Sequence, residues 1–238
     1  MNHLGNPDSP ILIFADLFRY KLLRSDYNLF LNDLQHQLPN NSILIPSYTY
    51  SSRRREVFDL EVPPDPQNGS LSRVLFEQVG IPFRRTYDVD YSYLVINPEC
   101  LNGDLRLFSH CKKSFGEGSH HERIFELDPI LMSIGGGFSA GFTPAMHAEA
   151  LAKVPYRKYI ETSIDTTDGV RREKSYFARN EDITFVTTRK YMHELFIDSS
   201  EYLTEFHQKQ LVNVAVNGRY FINQLMNTLK EDPNYFIE

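Results

Sequence analysis

Two short stretches of this sequence hold residues that can bind an oxygen anion and move a proton. The first, Phe115-Gly116-Glu117-Gly118-Ser119, is a Gly-rich turn that opens a helix predicted from His120 to Leu127. Bare backbone N–H groups at such a turn and helix start bind phosphate or a carbonyl oxygen. A tight turn that merely needs two glycines accounts for the same residues. The second stretch carries His147 and Glu149. Thr143 reads as an N-cap with Pro144 at the first helical position, which predicts a helix over Ala145 to Ala152. On a regular helix, positions 147 and 149 lie about 200° apart, so imidazole and carboxylate do not share a face. His120 and His121, directly after the Gly-rich turn, are further candidate bases, although doubled histidines are more often surface polar residues.

A third stretch, Pro46-Ser47-Tyr48-Thr49-Tyr50-Ser51, follows a buried strand predicted at Ile43 to Ile45. It is polar, aromatic and placed at a strand's C-terminal end, where α/β folds seat ligands. Three basic clusters, Arg53-Arg54-Arg55, Arg84-Arg85 and Arg171-Arg172, stand in an otherwise acidic chain. Guanidinium forks suit diphosphates, while solvated surface charge is the commoner origin of any one such cluster.

Several of these segments occur in the order found in the aminoglycoside 3-N-acetyltransferases. They are the segment from Pro46 to Ser51, Arg85-Thr86 followed by Tyr91-Ser92, Ser114 to Ser119, and Thr143 with Glu149 ahead of Pro155-Tyr156-Arg157. The chain resembles that family over most of residues 10 to 160. The resemblance implies an N-acyltransferase that uses acyl-coenzyme A as co-substrate, with Ser47, Thr49, Tyr50, Ser51, Arg85, Ser92, Gly116 and Ser119 on the coenzyme side. It also implies Thr, His and Glu spaced by three residues on one helix, the Glu orienting a catalytic His that takes the amine proton, which makes His147 and Glu149 the catalytic candidates.

Here Glu149 falls in place, but Met146 occupies the histidine position and the histidine is His147. A second departure lies after the first strand, where Phe14-Ala15-Asp16 replaces a His-Ser-Ser type segment. Asp16 then faces either the coenzyme or the substrate amine. The Arg clusters favour a nucleotide-linked amino sugar of the kind acylated for surface polysaccharides such as lipopolysaccharide O-antigen. The alternatives are an aminoglycoside substrate, as in antibiotic resistance, and a binding protein that kept the fold without the catalytic histidine.

The elements that must position these residues alternate between strand and helix. Ile11 to Phe14, Ile43 to Ile45, Tyr93 to Ile96 and Ile130 to Ile134 read as buried strands. Tyr27, Phe30, Leu31, Leu34 and Leu38 follow helical spacing up to Pro39, and Leu71, Val74 and Leu75 follow it after a capping Ser70. The expectation is an α/β fold: a mixed, mostly parallel central sheet with helices on both faces. Asp168-Gly169 predicts a hairpin turn between two strands. Helices are predicted from Ser200 to Gln210 and around Ile222, Leu225, Met226 and Leu229. Residues 1–238 read as a single N-acyltransferase domain, with a core over about 10–160 and a smaller C-terminal hairpin and helical cap over about 161–238.

Composition narrows the partners. A net charge of -6 opposes general nucleic-acid binding, which needs a positive surface, but tolerates a cationic substrate. Cys100 and Cys111 lack the spacing of a zinc site and read as reduced, and no metal is expected. The polar N-terminus and the lack of a long apolar run point to a cytoplasmic protein without a membrane partner. A homodimer is compatible with the sequence.

Overall fold

The computed structural model describes residues 9–15, 23, 26–49, 57–66, 70–77, 80–101, 104–134, 142–180, 203–205, 212–215 and 217–237. The strands are β1 (Ile11–Ala15), β2 (Ile43–Pro46), β3 (Val57–Phe58), β4 (Phe83–Arg85), β5 (Tyr93–Ile96), β6 (Ile130–Ile134), β7 (Arg157–Thr166), β8 (Arg171–Arg179), β9 (Leu203–Glu205) and β10 (Val212–Ala215). The helices are α1 (Tyr27–Gln37), α2 (Ser70–Glu77), α3 (His120–Glu126), α4 (Thr143–Ala152) and α5 (Gly218–Glu231). Two short 3₁₀ turns, at Pro98–Leu101 and Arg106–Phe108, lie between β5 and α3.

Seven strands form one sheet in the order β4-β5-β2-β1-β6-β10-β9. Only its centre is parallel, where β1 pairs with β2 and with β6. The flanking pairs are antiparallel, which corrects the mostly parallel sheet that the sequence predicts. For the two outer pairs the physical reason is connection length: a parallel pair needs a crossover of a dozen or more residues, and only residues 86–92 separate β4 from β5 and residues 206–211 separate β9 from β10.

The apolar strands supply side chains to two clusters, because successive residues of a strand point in opposite directions. Ile11, Ile13, Ile43, Ile45, Ile130 and Met132 pack with Tyr27, Leu31, Leu71 and Leu75 of α1 and α2. Leu12, Leu44, Val95 and Leu131 pack with Ile124 and Phe125 of α3, Ala145 and Ala148 of α4, and Phe221, Ile222, Leu225 and Leu229 of α5. Burial of these isoleucines and leucines is worth roughly 1.5–3 kcal/mol each relative to exposure, so the sheet centre and its flanking helices form a firm base.

The hairpin β7–β8 forms with β3 a second, three-stranded sheet. Its turn is the expected one: Gly169 takes φ +77°, and Asp168 accepts from the Val170 N–H. Of the helix predicted from Ser200 to Gln210, Leu203–Glu205 is corrected to a strand that pairs with β10 at the sheet edge, and the remaining residues lie outside the described ones. Backbone pairing at an open edge outweighs local periodicity there. Ser70 is already helical, and its hydroxyl donates to the Tyr27 hydroxyl at 3.1 Å. Among the described residues no helix is long and apolar enough to cross a membrane.

Candidate active site

Because β1, β2 and β6 are parallel, their C-terminal ends at Ala15, Pro46 and Ile134 share one edge of the sheet. Tyr93 pairs with Pro46, so antiparallel β5 begins at the same edge. Tyr48 follows β2, and Thr143 opens the helix that comes after β6. Three buried hydroxyls therefore meet there. Thr143 Oγ1 lies 2.6 Å from the Tyr93 hydroxyl and 3.1 Å from that of Tyr48. The Tyr93 hydroxyl lies 2.8 Å from His121 Nε2. This also corrects the expected N-cap, since Thr143 is itself helical and Phe142 precedes the helix without a side-chain cap.

His120 and His121 are both fully buried, so the surface reading of the doubled histidines is corrected. The capped start of α3 turns them inward: Ser119 Oγ accepts from the Glu122 N–H at 3.1 Å, while Glu122 accepts from the Gly118 N–H at 2.6 Å. His121 Nδ1 bonds the Ser114 carbonyl at 2.7 Å. A carbonyl can only accept, so Nδ1 carries the proton and Nε2 is the acceptor. His120 Nε2 bonds Thr86 Oγ1 at 3.1 Å. Burial lowers His120 to about 4 and drives His121 well below the ordinary histidine range, keeping both rings neutral.

His147 is 2% exposed and stacks on Phe125, with ring centroids 5.3 Å apart and planes at 9°. Its Nδ1 accepts from the Gly116 N–H at 3.2 Å. Burial lowers the ring to about 3, so it is neutral with its one proton on Nε2. Glu149 points elsewhere, as helix geometry requires of positions two apart. Its Oε1 accepts from the Tyr156 hydroxyl at 2.9 Å, and its Oε2 sits 2.7 Å from Arg157 Nε as an ion pair without hydrogen-bond alignment. Burial raises the Glu149 carboxyl, with Arg157 and Tyr156 opposing that shift. The expected orientation of the histidine by Glu149 is thus corrected, because the carboxylate is used by Tyr156 and Arg157.

The residues expected on the coenzyme side are largely committed to the protein's own backbone. Arg85 donates through Nε to Ser92 Oγ at 3.0 Å and through its terminal nitrogens to the carbonyls of Ser47 at 2.7 Å, Leu60 at 2.9 Å and Val62. Burial lowers this guanidinium to about 10, against the acidic Glu61, Asp59 and Asp65. Ser47 and Ser92 bond each other at 3.0 Å, and Thr49 Oγ1 donates to the Val89 carbonyl at 2.8 Å. Ser119 is used as a helix cap, and Ser47, Thr49, Arg85 and Ser92 each spend side-chain hydrogen bonds on tying loops to strands. Buried polar groups must find partners inside the protein. Gly116 remains beside His147. Asp16, Tyr50 and Ser51 lie outside the described residues, as do Arg53 to Arg55.

Sequence reasoning missed one buried cluster. Lys174 of β8 is fully buried, and its Nζ donates to Asp88 Oδ2 at 3.1 Å and to Ser114 Oγ at 2.8 Å. Ser114 Oγ donates to Asp88 Oδ1 at 3.0 Å, which also accepts from the N–H groups of Asp90 and Tyr91. Burial opposes ionisation of Asp88, but Lys174 and these donors hold it below the usual carboxylate range. The residue that presents its carbonyl to His121 is therefore anchored by an ion pair. No signal in the charged run Arg171-Arg172-Glu173-Lys174 marks the lysine as buried.

No family model matches this chain, and no curated protein matches it. Solved structures do. Aminoglycoside acetyltransferase AAC(3)-IVa, as apoenzyme, aligns with a TM-score of 0.71 at 19% identity over 98% of this chain and 85% of that chain. AAC-IIIb in a binary complex with CoASH gives 0.72 at 16% identity, over 96% of this chain and 92% of that one. AAC-VIa bound to sisomicin gives 0.71 at 16% identity, over 96% and 93%. Over nearly its whole length, this chain has the fold of the aminoglycoside 3-N-acetyltransferases.

Proposed function

We propose that the protein is an N-acyltransferase that takes an acyl group from acyl-coenzyme A and delivers it to an amine of an aminoglycoside-like amino sugar. The observation that carries this reading is the likeness over nearly the whole chain to acetyltransferases, one holding CoASH and another sisomicin. The buried histidines beside the Gly-rich turn add to it. A nucleotide-linked sugar has less support, because the arginines that favoured it are engaged where they fall among the described residues. Arg85 is locked in backbone contacts, Arg84 lies 3.9 Å over the Phe108 ring, and Arg171 and Arg172 pair with Asp165 and Asp168. An acidic chain of net charge -6 suits a polycationic acceptor better.

In the reaction, the amine nitrogen attacks the thioester carbonyl, the carbon–nitrogen bond forms, and the carbon–sulfur bond breaks to release the thiol. His147, neutral with its proton on Nε2, serves as a hydrogen-bond donor to the oxyanion, and Gly116 fixes its tautomer. This replaces the role of proton-accepting base expected from the sequence.

Thiol release from acetyl-coenzyme A, trapped colorimetrically across aminoglycosides and nucleotide-linked amino sugars, tests the reading. Turnover with aminoglycosides is expected. Turnover confined to nucleotide-linked sugars overturns the substrate assignment, and no turnover with any amine overturns the enzyme.

A further inference from the structure

The buried hydroxyls at the sheet edge have a direction, and one carbonyl sets it. Ser114 O accepts from His121 Nδ1, so the neutral ring accepts at Nε2 and the Tyr93 hydroxyl must donate to it. At 2.6 Å a hydrogen has to lie between Thr143 Oγ1 and the Tyr93 oxygen, and Tyr93 has already given its own to His121. Thr143 therefore donates to Tyr93. By the same argument Tyr48 donates to Thr143 across 3.1 Å, with the Tyr93 oxygen 3.4 Å away. Each hydroxyl hydrogen in the chain points inward toward His121.

We propose that Tyr48, Thr143 and Tyr93 form a proton-conducting chain that ends on His121 Nε2 and receives the proton the acceptor amine sheds at the sheet edge. The proposal rests on the acyltransferase reading above. The transfer balances: the amine proton passes to the Tyr48 oxygen, the hydrogens of Tyr48, Thr143 and Tyr93 each move one oxygen or nitrogen onward, and His121 becomes imidazolium. All three hydroxyls end neutral, and the positive charge has moved from nitrogen to imidazole. The reverse shift returns the proton to the departing thiolate.

The surroundings are built to receive it briefly. His121 keeps its Nδ1–H on Ser114, whose hydroxyl is held by Lys174 and Asp88. The Asp88 carboxylate favours the imidazolium, while burial, His120 and His147 oppose it and so promote its discharge. Tyr93 and Thr143 are fully buried, so bulk water does not short-circuit the inner chain, and Tyr48, at 3% exposed, is its outermost member.

Three variants test the chain: Thr143→Val, which removes the middle hydroxyl at constant shape, Thr143→Ser, which restores it, and Tyr93→Phe. In the wild type the solvent-deuterium proton inventory on kcat is expected to curve, as several protons move together. Thr143→Val and Tyr93→Phe are expected to lower kcat by about 100-fold, in the range of a lost proton-transfer group, and to straighten the inventory. Thr143→Ser recovers both. A straight inventory in the wild type, or Thr143→Val with unchanged kcat, overturns the proposal.

Nitrogen-15 NMR of the histidines judges the chain even where no amine is acylated, which separates its failure from that of the enzyme reading. Unliganded wild type is expected to show His121 as the Nδ1–H tautomer, and an Nε2–H tautomer overturns the proposal. Thermal melts of each variant identify a loss that comes from unfolding, and the wild-type proton inventory and the His121 tautomer then judge the chain.

Discussion

The backbone N–H of Gly116 donates to Nδ1 of His147 across 3.2 Å, joining the Gly-rich turn to the middle of α4. The contact makes His147 a donor at its other nitrogen. It also ties ring orientation to a residue that has no side chain. Gly116 has φ +77°, and a Cβ added there would stand 2.5 Å from the Tyr159 hydroxyl, which donates to the Phe115 carbonyl at 3.0 Å.

Gly116→Ala is therefore expected to destabilise the fold by about 1–3 kcal/mol through backbone strain and displacement of Tyr159. It is also expected to lower kcat, because the N–H moves away from His147. Gly118→Ala serves as the comparison: Gly118 also has positive φ, but nothing lies within 4 Å of its added Cβ. Melting curves should show both variants weakened, with only Gly116→Ala disturbing the His147 resonances in NMR. Equal disturbance by both variants contradicts the account.

His147→Ala is expected to reduce kcat by about 100-fold, the cost of one oxyanion donor. The loss stays constant as pH rises, since a donor is not replaced by deprotonating the amine. A proton-accepting base behaves differently, because its deletion matters less at high pH. The pH–rate profile of the variant against wild type separates the two roles.

Lys174 and Asp88 form an ion pair in which both side chains are fully buried. Removing one partner leaves an unpaired buried charge, at a cost of about 3–5 kcal/mol. Lys174→Met and Asp88→Asn are each expected to lose stability on that scale. The double variant is expected to lose clearly less than their sum. Denaturant unfolding of the four proteins measures the coupling, and strict additivity excludes the pair as the source.

Acid should unfold the protein earlier than its carboxylates alone would. His120 and His147 are lowered by burial from near 6.5 to about 4 and about 3, and His121 is lowered too. Below pH 6.5 the unfolded chain takes up protons that the folded chain refuses, so stability falls as pH drops toward those values. Each histidine contributes up to about 1.4 kcal/mol per pH unit in that window. Asp88, lowered by Lys174 against its burial, adds a loss only beneath the ordinary carboxylate range. Glu149, raised by burial, acts in the opposite sense and softens the slope between its ordinary and raised values. Calorimetry from pH 7 to 4.5 should show the melting temperature falling throughout, and His147→Gln should lessen the dependence by about one proton.

Much of the framework was legible in local pattern. The apolar runs at Ile43, Tyr93 and Ile130 became β2, β5 and β6 because three to five buried residues in a row, mostly isoleucine, leucine, valine or tyrosine, suit a strand covered by other elements. Leu225 and Leu229 lie buried on α5 as helical spacing demands, and Asp168-Gly169 turned the hairpin by the conformation that glycine permits. The offset between His147 and Glu149 was legible too, since the angle between two positions on a helix is fixed by geometry alone.

Strand direction, the strand at Leu203–Glu205 and the fate of the polar side chains were decided only in three dimensions. Ser47, Thr49, Arg85 and Ser92 have the residue types of a ligand site, yet partners that use them include distant groups: the Val89 carbonyl for Thr49 lies 40 residues away, the Leu60 carbonyl for Arg85 lies 25 away, and Ser92 lies 45 from Ser47. Lys174 finds Asp88 across 86 residues, and Thr143 finds Tyr93 across 50. Local sequence therefore determined which segments are apolar, where chains turn and which faces a helix presents, because those depend on neighbours within a few residues. Which donor meets which acceptor was left to the tertiary structure, since a buried polar group is satisfied by whatever the packing of distant segments brings within about 3 Å.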